Sequence, residues 1–234
     1  MKNIILLLII LFPVASFAQL KNETELSVIA SGGNSEVQTT NAKTTNLYQW
    51  EKYATTFGGH YTYGENADAV SVRNWDVNGR AEREVTHKIS IVMGEIIEGN
   101  KFTAIKARYN SDAGMKYYYS KNDRRKFFSE LSYRYAVEDR YEPLDNTYDH
   151  KARFYNEYDE KYSETLQYKL WIEYVPNFSD GHDYLVNGEA SITSILNSTF
   201  SLKVAYKGMY DNSPAFAGFK NYDYLTTTSL VAKF

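Results

Sequence analysis

Charged side chains recur at every second position through much of this 234-residue sequence, and that spacing governs what they can do together. Asp76, Arg80, Glu82 and Glu84 share one parity, as do Arg108, Asp112 and Lys116, then Glu130, Arg134 and Glu138. Lys151, Arg153, Glu157, Asp159 and Lys161 form another such row, and Lys169 with Glu173, Glu189, and Lys203 with Lys207 complete the set. In a β-strand, alternate residues point to the same face, so each group becomes a row of mixed sign on one side of a sheet. Facing a water-filled passage, such rows would bias which ions or solutes pass. Paired with one another, they would form a salt-bridge lattice that fills the space. Both readings gather the same residues, and both stay open at this point.

Other chemistry is thinly represented. His60 is followed two residues on by Thr62, a spacing that would let an imidazole activate a hydroxyl on the same face. The stronger version, with serine, is absent there and beside His87, His150 and His182. Neither a Gly-x-Ser-x-Gly elbow nor a His-Glu-x-x-His zinc motif occurs. Each histidine is therefore read as a lining or loop residue, and neither an enzyme nor a cofactor is expected. Asp139, Glu142, Asp145 and Asp149, and the Asp180-Gly181-His182-Asp183 segment, lack the ligand spacing of a calcium loop and read as solvated loops without metal. With no cysteine there is neither thiol chemistry nor a disulfide. Gly58-Gly59 reads as a bend or a close approach rather than a phosphate cradle.

The elements that must carry these rows are strands. From Thr165 to Val175, Leu166, Tyr168, Leu170, Ile172 and Tyr174 alternate with Gln167, Lys169, Trp171 and Glu173. The same period of two runs through Tyr184–Thr193, Phe200–Tyr210, Glu130–Glu138 and Ala107–Tyr117, and Tyr53, Phe57, Tyr61 and Tyr63 make a further apolar face. Less regular are Glu25–Ser31, Glu36–Trp50 and Ile89–Glu98, the last apolar on both faces; ten strands would remain if one of these failed. Tyr224, Thr226, Thr228, Leu230, Ala232 and Phe234 form the face of a last strand that ends on an aromatic residue.

Compact breaks at Glu51-Lys52, Val85–Lys88, Ser120–Arg125, Tyr162–Glu164 and Asn197-Ser198 alternate with longer ones such as Asp139–Thr147 and Asp211–Lys220. Short turns on one side and long loops on the other are what a bacterial membrane barrel has. Several segments run about 10 to 14 residues, beyond the roughly five or six of soluble strands and enough for a tilted membrane strand. With 22 Tyr, 12 Phe and three Trp, the chain is also rich in the rings that sit at membrane interfaces.

Lys2, the apolar stretch Ile4–Val14 and Ser16-Phe17-Ala18 read as a signal peptide over residues 1–18, cleaved after Ala18. Residues 19–234 then form one domain, an all-β, antiparallel, up-and-down transmembrane β-barrel of about twelve strands, in the bacterial outer membrane. Lys2 is the only charged residue before Gln19, so 25 basic against 29 acidic residues leave a charge of −4, without the basic face a nucleic-acid partner requires.

Gly33-Asn34-Ser35 after a short strand, the stretch Asn74-Trp75-Asp76-Val77-Asn78-Gly79-Arg80-Ala81-Glu82-Arg83-Glu84 and the terminal strand together resemble the YdiY-like salt-induced outer membrane protein family, a domain of unknown function. The resemblance implies an outer-membrane barrel and brings no catalytic residues with it. The expected partners are outer-membrane lipids, the barrel assembly machinery, for which Phe234 would be the handover signal, and small ions or solutes. A lipid-modifying barrel enzyme and a soluble periplasmic lipid-binding barrel, with its apolar face inward, are the competing classes.

Overall fold

A computed structural model describes residues 19–31, 37–66, 69–215 and 219–234. Residues 1–18, and with them the expected signal peptide, lie outside the described residues, as does Gly33-Asn34-Ser35. Twelve strands follow one another: β1 (Gln19–Ser31), β2 (Val37–Trp50), β3 (Tyr53–Asn66), β4 (Ala69–Thr86), β5 (Ile89–Asn100), β6 (Ile105–Lys121), β7 (Arg125–Arg140), β8 (Thr147–Lys161), β9 (Leu166–Pro176), β10 (Tyr184–Ile195), β11 (Phe200–Asp211) and β12 (Tyr222–Lys233). Each pairs antiparallel with its chain neighbours, and β1 pairs with β12, so the sheet closes into an up-and-down barrel. Closure matters because hydrocarbon offers no water to an unpaired N–H or C=O.

The faces are inverted relative to a soluble protein. On β7, Leu131 and Tyr133 are 54% and 49% exposed, while Glu130 and Arg134 on either side of them are 4% and 6% exposed. β6 repeats this with Met115 outside and Asp112 and Lys116 inside, and β9 with Leu170, Ile172 and Tyr174 outside. An apolar exterior around a charged interior suits lipid outside and polar matter within, and it rules out a soluble barrel holding a ligand against an apolar inner face. Polar groups on the outer face near the β1–β2 ladder satisfy one another: Asn22 donates to Asn46 at 2.8 Å and Thr24 to Asn22 at 3.2 Å.

Local chemistry fixes the turns. Asn122 accepts the backbone N–H groups of Arg124 and Arg125 at 3.1 and 2.8 Å, closing the β6–β7 turn. Asn197 does the same for Thr199 and Phe200 between β10 and β11. The break expected over Val85–Lys88 is narrower, because β4 runs on through Thr86, whose hydroxyl accepts the N–H groups of Lys88 and Ile89. Ile89–Glu98, apolar on both faces, is a strand all the same, with Val92 buried against the interior charges and Ile91 and Met93 turned to lipid. Gly58 sits where an added Cβ would come within 3.0 Å of the Thr44 carbonyl and the Asn78 side chain, so the glycine marks a close approach.

Leu170→Arg should hinder folding into lipid vesicles, because an arginine facing the bilayer midplane costs roughly 2 to 4 kcal/mol. Urea titration of the vesicle-bound chain, scored by the gel mobility shift between unboiled and boiled samples, checks this. An unchanged midpoint would contradict the outward assignment of that face.

Candidate functional site in the barrel interior

The interior is organised around ion pairs, and several of the carboxylates, Glu130 and Glu138 among them, hold more than one cation. Glu130 on β7 accepts Arg80 from β4 and Arg153 from β8, the latter at 2.6 Å, and Ser132 donates to it at 3.0 Å. Strands β4 and β7 are not neighbours, so the Arg80–Glu130 pair spans a chord of the lumen. Arg153 continues to Glu173 on β9. Arg134 grips Asp112 with two parallel bonds of 2.7 Å, and Arg108 bridges Glu138 at 2.8 Å and Glu98 at 3.2 Å. A buried guanidinium is costly unless its donors find carboxylates, and here each has one or two.

Nearer the short turns, Lys116 pairs with Glu82, to which the Tyr118 hydroxyl donates at 2.7 Å, and the Lys116 ammonium lies 4.5 Å from the centre of the Phe128 ring. Glu157 receives Lys169 at 3.1 Å and the Tyr155 hydroxyl at 2.7 Å. Glu84 binds Lys121 at 2.6 Å, Asp159 accepts from Gln167 at 2.7 Å, and Lys161 is exposed beside the β8–β9 turn. Towards the long loops, Lys151 reaches Asp183 at 3.3 Å. The Asp180–Asp183 segment thus lends a carboxylate to the lattice, and no group of metal-ligating side chains assembles among the described residues.

The opposite wall is looser. Lys203 on β11 sits between Glu25 and Glu189 at 3.1 and 3.2 Å, and Lys43 approaches Glu25 at 3.6 Å. Asp76 is held by His60 at 3.2 Å and Asn78 at 3.1 Å. Lys207 makes no ion pair among the described residues. Between these side chains lies a cavity of about 210 Å³, bordered by Lys43, His60, Glu189, Lys207, Leu225 and Thr227. A second, of about 450 Å³, lies towards the long loops beside Arg108, Glu138, Asp211 and Asp223, and Leu225 borders both. The interior is therefore uneven: around the first cavity it is packed on β4–β9 and open along β10–β12 and β1–β3, and towards the long loops the second cavity opens across to β4–β7 as well.

His60 and Thr62 do meet, Thr62 Oγ1 lying 2.9 Å from Nε2 while Nδ1 faces Asp76, and Asn41 donates to Thr62 at 3.1 Å. Thr62 has no exposed surface, and its hydroxyl is held within this network.

Four interior aromatics add to the charged rows. Tyr118, Phe128, Tyr155 and Trp171 form a chain of rings with centroid separations of 5.5, 5.8 and 5.9 Å across β6 to β9. Their signal was parity alone: Tyr118 shares that of Lys116, Phe128 that of Glu130, Tyr155 that of Arg153 and Trp171 that of Lys169. Glu25 and Glu98 also join the network from two of the three less regular segments. Phe234 is 74% exposed, and its backbone exchanges two hydrogen bonds with Asn22, 2.8 and 2.9 Å, at the end of the β1–β12 seam.

Solved outer-membrane proteins share this architecture. A NanC porin matches with a TM-score of 0.53 at 9% identity, covering 92% of this chain and 98% of its own. An outer-membrane channel from Pseudomonas putida F1 matches with a TM-score of 0.53 at 8% identity, covering 93% and 95%. At such identities the likeness is one of fold. No curated protein matches this chain in sequence. The model of a family described as "Protein of unknown function, DUF481" matches residues 24–234.

Glu130→Gln should destabilise the folded barrel by roughly 3 kcal/mol, since removing one partner of a buried pair strands the charges it neutralised. The urea midpoint in detergent micelles reads this out. Lys43→Gln, which alters a half-exposed side chain, should leave the midpoint nearly unchanged; equal losses would mean that Glu130 is no keystone.

Proposed function

The chain belongs to the DUF481 family of proteins of unknown function, and from its interior we propose that it is an outer-membrane barrel that passes small ions or solutes along one wall of its lumen. The observation that carries this reading is the division of the interior. The lattice on β4–β9 consolidates the barrel, while the two cavities, both bordered by Leu225, give water a path that runs along β10–β12 and β1–β3 and then opens across to β4–β7 towards the long loops. A narrow path of this kind would conduct weakly, and the charges beside it would set which ions enter. Lys43 and Lys207 face carboxylates Glu25, Asp76 and Glu189 around the first cavity, so the preference between anions and cations is slight.

In the same reading, the chain is exported with residues 1–18 removed after Ala18, and Phe234 hands the barrel to the assembly machinery. A barrel whose lattice fills the whole lumen is the competing function, a structural part of the envelope.

Single-channel recording on refolded protein separates the two. The proposal expects small, steady openings, a lower conductance in Leu225→Trp, which plugs the junction of the cavities, and a shift towards cations in Lys43→Glu. Silence under conditions where a control porin conducts would favour the filled barrel.

A further inference from the structure

The seam that closes the barrel is only partly zipped. β1 and β12 pair from Glu23 with Lys233 to Leu26 with Leu230, and the Asn22–Phe234 backbone bonds extend this towards the chain end. The same register would set Val28 opposite Thr228 and Ser31 opposite Leu225, yet no such pair forms although both stretches are strand. Most other ladders continue close to the long-loop ends of the strands, as in Ser31 with Val37, Asn66 with Ala69 and Tyr210 with Tyr222, and where the β8–β9 ladder stops at Phe154 with Tyr174, a bridge from Lys151 to Asn177 carries the contact further. Two facing runs of backbone donors and acceptors are thus left open at bilayer depth, which hydrocarbon alone does not tolerate.

What lies behind the opening is polar. Leu225 and Thr227 on the free edge of β12 border the cavity of about 210 Å³. Opposite Leu225 on β11 is Lys207, the interior lysine without an ion pair among the described residues. Its cross-strand neighbour Glu189 is bound to Lys203, and Asp76 is taken by His60 and Asn78. An anion entering from the seam would therefore meet a cation that no carboxylate holds in a close ion pair, the charge of Asp76 reaching it only from a distance, and water around a charged head group would satisfy the open backbone edges.

We propose that the open part of the β1–β12 seam is a lateral portal between the lumen and the bilayer. It admits an anionic amphiphile, an acyl chain bearing a phosphate head group, with the head group on Lys207 and the chain left in lipid. This goes beyond conduction and does not depend on it.

The cysteine-free sequence makes the test direct. Thr24→Cys with Ala232→Cys, on the zipped part of the seam, should form a disulfide under mild oxidation, whereas Val28→Cys with Thr228→Cys should stay reduced. In phosphatidylcholine vesicles doped with phosphatidic acid carrying a photoactivatable acyl chain, label should concentrate on Leu26–Ser31 and Tyr222–Leu230. Lys207→Gln should lose most of that label while keeping the gel shift of a folded barrel. Complete oxidation of the Val28/Thr228 pair would overturn the portal. Label spread evenly around the barrel, equal labelling by a phosphatidylcholine probe, or labelling unaffected by Lys207→Gln would overturn the anionic amphiphile.

Discussion

Side chains that alternate on a closed sheet put every charge of one parity into a lumen too narrow to hydrate them all separately, and the arrangement at Glu130 is how this barrel meets that constraint. Its two oxygens hold guanidinium groups from strands on either side, one of them across a chord of the lumen. The strands are kept in register by backbone bonds, but the cross-section between them is set by such chords. Arg134 with Asp112, Arg108 with Glu138 and Glu98, and Lys116 with Glu82 extend the same solution along the axis. The aromatic chain from Tyr118 to Trp171 fills the gaps that ionic contacts leave, and cationic heads rest on its rings, as Arg153 does on Tyr155 at 4.5 Å.

Where this lattice ends, the lumen has water to spare. β10–β12 and β1–β3 carry shorter polar side chains inward, among them Asn41, Thr45, Ser191, Thr227 and Ser229, which leave space that arginines on the other wall occupy. The partly unzipped seam belongs to this looser wall, so the cavity and the open edge share one cause: few long paired side chains reach across to brace β1, among them Lys233 of β12 with Glu23 and Lys203 of β11 with Glu25.

Much of this is legible in the sequence. The contrast of Lys169 with Leu170 on β9 is a matter of parity, and parity also placed the rows on β4, β6, β7, β8 and β11 on a common side. β5 was harder, because Ile91, Val92 and Met93 are apolar on both faces; the reason is that Val92 packs within a lattice whose charges come from its neighbours. Of the interior rings, Trp171 already falls in the polar row of β9, while Tyr118, Phe128 and Tyr155 escape the reading for the opposite reason, since an aromatic on a strand is expected to face lipid. What alternation does not contain is which charges pair across the barrel and where space is left. That depends on side-chain length and on chords between strands far apart in the chain, as Arg80 and Glu130 illustrate.

Below the long-loop cavity, one wall of the lumen is filled and the other is wet. Single cysteines introduced at Thr45 and Thr227, beside the cavity, and at Ser90 and Ser132, within the lattice, should divide sharply when a membrane-impermeant, water-soluble thiol reagent is applied to the refolded barrel. The account predicts rapid modification at Thr45→Cys and Thr227→Cys and almost none at Ser90→Cys and Ser132→Cys until the barrel is unfolded. Equal rates at all four positions, whether uniformly fast or uniformly absent, would contradict it.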